Sequence, residues 1–74
     1  MKRHWKPETI VGIDVSSTDL EGLVLPSEER LASSQSPLEV PKLADRITAL
    51  RPDLVVIEAT GGYEWPLVLS LIHI

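Results

Sequence analysis

Hydrophobic and polar positions along the chain predict six elements. Thr9 to Val15, "TIVGIDV", is β-branched and nearly all apolar, which suits a central strand, and "SSTD" after it reads as a turn. "LEGLVL", Leu20 to Leu25, predicts a second strand. Pro26, Ser27 and Glu28 turn the chain, and "ERLASS" returns as a third strand, so the three are antiparallel neighbours in a meander. Val40, Leu43, Ala44, Ile47 and Leu50 then recur at the i, i+3, i+4, i+7 spacing of an amphipathic helix. Ser36, Pro37 and Glu39 resemble a capping box with proline at the first helical position. Counted from that start, Pro41 would forfeit a backbone hydrogen bond at the fifth position, which makes Pro41 a second candidate start. Arg51-Pro52 closes the helix. "DLVVIEA" follows as a fourth strand, and its apolar run from Leu54 to Ile57 suits a strand covered on both faces. "TGG" breaks to a last helix from about Tyr63, where Pro66 is tolerable because first-turn amides lack partners.

The order β-β-β-α-β-α predicts an α/β fold with a mixed sheet. A helix between the third and fourth strands lets the fourth cross back beside the first, parallel to it, by a right-handed connection. Asp14 and Glu58 then stand at matching carboxyl ends. Alternation puts Ile10, Gly12 and Asp14 on one face of the first strand, and Leu54, Val56 and Glu58 on one face of the fourth. Strands about 4.8 Å apart bring the two carboxylates close enough to share a divalent cation. Open α/β sheets bind their ligands at this end.

Composition narrows the classes. A chain of 74 residues holds one small domain near the lower limit of independent stability. With 43% hydrophobic and 24% charged residues it is globular in balance, but at 4% aromatic its core must rest on Leu, Val and Ile. The absence of cysteine excludes disulfide staples and thiolate metal sites and fits a reducing cytoplasm. A net charge of −4 gives no broad electrostatic attraction to nucleic acid, so any such role needs basic surface from elsewhere. The basic start, residues 1–8, is expected to be disordered and lacks the apolar core of a signal peptide. "PLVLSLIHI" at the other end is far shorter than a membrane span, so no membrane partner is expected.

The candidate chemistry competes with plainer roles. Asp14 alone reads as a turn aspartate accepting bonds from nearby amides. Glu58 is harder to dismiss, because glutamate is a poor turn former and an unpaired buried carboxylate is costly; its plain roles are an ion pair or exposure at a sheet edge. Together the two supply hard oxygen ligands for Mg²⁺ or Mn²⁺, which could activate water and stabilise charge at a phosphodiester. Thr60, Gly61 and Gly62 before a helix suit a flexible turn with a cap, or backbone amides presented to a phosphate. Trp65 reads first as a core anchor and second as a base-stacking residue. His4 and His73 have no partner at ligand spacing, and the serines offer no Ser/His/Asp set.

"VGIDVSSTDLEGLV", followed 44 residues after Asp14 by "EATGGYEWPLV", resembles the amino-terminal part of the DEDD-type insertion-sequence transposases, the family that includes Piv-type DNA invertases. The glycine-rich run is the specific part, and the resemblance spans roughly Ile10 to Leu69. It implies a ribonuclease H-like, RuvC-like catalytic domain in which four acidic residues bind Mg²⁺ for cleavage and joining of DNA strands in transposition and recombination. Asp14 matches the first acid and Glu58 the second. The last two, a pair of aspartates, have no counterpart, nor does the serine-bearing carboxy-terminal domain or any portion that would complete guide-RNA binding. This chain has Ser17 where the family often has Lys, Glu21 where it has Asp, and Trp65 where it has Arg. The closing "SLIHI" also departs from the longer helix expected there and resembles a premature end or a shifted frame.

These resemblances lead to the expectation that residues 9–74 are a truncated transposase catalytic domain, with Asp14 and Glu58 as catalytic metal ligands, weak binding of Mg²⁺ or Mn²⁺, and no strand transfer alone. A competing expectation is a non-catalytic interaction module that self-associates or pairs with a full-length transposase through its uncovered sheet edge. An actin-like or sugar-kinase nucleotide binder ranks last, because it wants glycine where this chain has Ser16 and Ser17.

Overall fold

The structure, a computed structural model, describes residues 8–59 and 61–72. Its elements are β1 (Ile10–Val15), β2 (Asp19–Leu25), β3 (Glu29–Ser34), α1 (Glu39–Ala49), β4 (Leu54–Ala59) and α2 (Trp65–Ile72). The strands form one mixed sheet in the order β3-β2-β1-β4, antiparallel except for the parallel pair of β1 and β4. The fold is therefore α/β, with the fourth strand beside the first.

Two local devices set the registers. In the β1–β2 turn, the Ser16 amide donates to the Asp19 carbonyl at 2.9 Å, and the Asp19 amide donates to Ser16 Oγ at 3.1 Å. This short side-chain turn places Val15 opposite Leu20 and Asp14 opposite Glu21. At the other end of the sheet, Asp53 Oδ2 accepts from the amides of Glu8 and Thr9, both at 2.9 Å, and the Asp53 amide donates to the Thr9 carbonyl at 2.8 Å. Asp53 thus ties the start of β4 to the start of β1, and Ile10 pairs with Leu54.

Both helices supply the core on a single face of the sheet. Val11, Ile13, Val15, Leu20, Val24 and Leu31 bury from the strands against Val40, Leu43, Ala44 and Ile47 of α1 and Leu67 of α2. Every one is at most 3% exposed, so the small core is closed to water. The other face has no covering layer among the described residues. Leu54 is 39% exposed and Val56 50%, which corrects the expectation of a β4 covered on both sides. An apolar run of this length fits either a strand buried on two faces or one whose alternate residues lie on an open face, and the helix placement decides for the second.

α1 begins at Glu39, between the two starts considered. Leu38 holds the N-cap position and makes no side-chain cap; Ser36, in the turn before it, accepts at Oγ from the Glu39 amide at 3.0 Å, but the reciprocal arm of a capping box is absent, since the Glu39 carboxylate lies 3.8 Å from Lys42 Nζ. Pro41 is the third residue of α1, within the first turn, where a missing amide is tolerated. Arg51, with φ of 49°, takes the left-handed conformation that ends the helix, and its amide donates to the Thr48 carbonyl at 3.0 Å. Pro66 is the second residue of α2, within the first turn. Trp65 heads that helix and is 57% exposed, so it is not the core anchor the sequence suggested. No helix among the described residues is long and apolar enough to cross a membrane. The basic start lies outside the described residues apart from Glu8.

Candidate metal site on the open sheet face

Because side chains alternate across a strand, the open face is a grid whose rows follow the cross-strand registers. One row runs Ala32, Glu21, Asp14, Glu58 across β3, β2, β1 and β4. The row before it runs Arg30, Leu23, Gly12, Val56. Asp14 and Glu58 are therefore register partners on adjacent parallel strands, both exposed, near the carboxyl ends of those strands. Neither makes an ion pair with any described residue.

The two rows surround a shallow depression of about 340 Å³ lined by Asp14, Glu21 and Glu58 on one side and by Arg30, Leu23 and Val56 on the other. Gly12 forms its floor. A Cβ added there would meet nothing within 4 Å, so it is the missing side chain that keeps the floor low.

Glu21 is the residue that reading the sequence did not bring to this site. The signal for it existed: a turn closing between Val15 and Leu20 necessarily sets Asp14 beside Glu21. Like charges on directly opposed residues repel, so the row costs stability and gains a local negative potential.

The fit to a divalent cation rests on the donor chemistry. Mg²⁺ and Mn²⁺ accept one or two carboxylates and keep several waters, and two exposed carboxylates in register on neighbouring strands could supply such a partial shell. Among the described residues no group of three or more His, Cys, Asp or Glu side chains is arranged to hold a metal ion, so Glu21 adds charge beside the pair rather than a closed cage.

Gln35 braces this end of the sheet. Its Nε2 donates to the carbonyls of Ser16 at 3.0 Å and Tyr63 at 2.9 Å, and its amide donates to the Thr18 carbonyl at 2.9 Å. One side chain thereby joins the loops that follow β1 and β4, the strands that carry Asp14 and Glu58.

The glycine-rich loop is a turn. Gly61 and Gly62 have φ of 67° and 78°, the left-handed region that favours glycine, and the Trp65 amide donates back to the Gly62 carbonyl at 3.4 Å. Thr60, named with them as a phosphate cradle, lies outside the described residues, as do His4 and His73. No protein-family model, curated protein or solved structure matches the chain.

Proposed function

We propose that this chain is the amino-terminal portion of a ribonuclease H-like catalytic domain of the DEDD transposase type, in which Asp14 and Glu58 hold a divalent cation for DNA phosphodiester chemistry. The observation that carries the reading is the register pairing of Asp14 with Glu58 on the open face of two parallel strands. It is supported by the sequence resemblance around both acids and by the strand order β3-β2-β1-β4, with the helix of the crossover on the face away from them.

A divalent cation held by Asp14 and Glu58 would supply an acidified water and charge stabilisation at a phosphoryl oxygen. The chain's own residues orient that chemistry: Asp14 and Glu58 each present carboxylate oxygen from a rigid strand, and Gln35 holds the following loops. The family's second acidic pair has no counterpart in these residues, so cation binding is weak and strand cleavage by the chain alone is nil. Titration of Mn²⁺, followed through the electron paramagnetic resonance signal of the free ion, tests this. Saturable binding lost in both Asp14→Asn and Glu58→Gln is expected; no saturable binding, or binding indifferent to both, contradicts it. Nicking of supercoiled DNA by the wild type, abolished by Asp14→Asn, would overturn the inactivity.

A second reading, an interaction module that joins another transposase chain, is favoured by the edge of β4. Its sequence LVVIEA has no Lys or Pro to discourage strand addition, and β4 pairs only with β1 among the described residues. A chain that sediments as a monomer and fails to co-purify with a full-length transposase would remove this reading.

A further inference from the structure

We infer that Arg30 is a phosphate-binding residue of the same face, holding the backbone of a nucleic-acid strand that crosses the sheet beside the acid pair. The inference rests on the proposed metal site and adds to it the contact that the net charge of −4 made hard to find.

Arg30 is the basic residue among those lining the depression, in the row next to Glu21, Asp14 and Glu58. Its guanidinium has no carboxylate partner among the described residues, although acids line the same depression. By contrast Arg46 Nη2 lies 3.3 Å from Glu29 Oε2, and Lys42 pairs with Glu39 on the helix. Arginine is suited to phosphate because its planar donors engage two oxygens at once.

The floor between Arg30 and the acids admits a ligand's backbone. Leu23 and Gly12 separate Arg30 from β4 along its row, and Gly12 projects nothing above the sheet. Arg30 and Asp14 stand two strands, about 9.6 Å, apart across the sheet. Arg30 therefore serves a phosphate neighbouring the one at the acids. A face with a cation site at one point and a guanidinium a short step away matches the repeating negative charge of a polynucleotide, which neither element alone would distinguish from a free anion.

The test measures two affinities on the full chain: that for Mn²⁺ alone, and that for a short fluorescein-labelled single-stranded oligodeoxynucleotide in Mg²⁺, read by anisotropy across a salt series. Arg30→Gln is expected to weaken oligonucleotide binding on the order of tenfold and to flatten the slope of log affinity against log salt by about 0.7. Mn²⁺ affinity should hold within about twofold, since an exposed charge at this distance is largely screened. Arg30→Lys should restore most of the oligonucleotide affinity, because it keeps the charge. Wild-type oligonucleotide affinity and salt slope in Arg30→Gln, with Mn²⁺ binding still lost in Asp14→Asn, would overturn the inference and leave the metal site standing. A wild type that binds neither Mn²⁺ nor the oligonucleotide would overturn both.

Discussion

The two faces of the sheet are built from alternate residues of the same strands and do opposite work. On the covered face, Val11, Ile13 and Val15 of β1 are buried in one cluster with residues of both helices and exclude water. On the open face, Gly12 and Asp14 of that strand stand beside Glu58 and Glu21 with no layer above them among the described residues. Burying the acid row would cost several kcal/mol per ion, on the order of a small domain's whole stability. The proposed chemistry is therefore confined to the face that contributes least to holding the chain together.

The separation predicts a graded series of substitutions. Leu20→Ala, fully buried on the covered face, should cost about 2–5 kcal/mol, enough to unfold much of the population; urea denaturation followed by circular dichroism measures it. Adding one methyl group to each face sharpens the contrast. At Gly22 a Cβ would lie 2.6 Å from Ile13 Cδ1 and 3.2 Å from Leu31 Cβ, so Gly22→Ala should cost about 1–3 kcal/mol by overpacking. Asp53→Ala, which removes the acceptor of two amides where β1 and β4 start, should cost about 1–2 kcal/mol. A loss of amide-exchange protection confined to β1 and β4 would show that the register depends on it. Gly12→Ala, with open space around the new methyl group, should instead stabilise by about 0.4–1 kcal/mol through the unfolded chain. Equal losses at Gly12 and Gly22 would break the two-face account. Smallest of all, Asp14→Asn should stabilise by about 0.2–1 kcal/mol, because it removes the middle charge of an acidic row. That gain should shrink as salt is raised while the loss of cation binding persists.

Much of this arrangement was legible in the sequence because it follows from alternation and connection length. The order of elements, the parallel neighbour of β1 and the pairing of Asp14 with Glu58 all follow from a helix placed between two apolar strands. What escaped was set by packing at a distance. Whether Leu54 and Val56 are covered depends on which side both helices choose, and no local pattern records that choice. Trp65 was misjudged for a related reason: α2 buries Leu67 instead, and its first residue turns outward. Gln35 gave no signal because its partners, Ser16 and Tyr63, are distant in sequence and contribute backbone carbonyls rather than recognisable side chains. Arg30 was hidden by the total charge, since a sum over the chain says nothing about which face a cation lies on.

The most direct test of the metal site is a map of amide signal loss in two-dimensional nuclear magnetic resonance spectra as Mn²⁺ is added in substoichiometric amounts. Paramagnetic broadening should begin at Gly12–Asp14, Glu21–Leu23 and Val56–Glu58, spare the outward side of α1, and disappear in Glu58→Gln. Broadening that begins instead at the exposed acids of α1, or that persists unchanged in Glu58→Gln, would contradict a cation site on the open face.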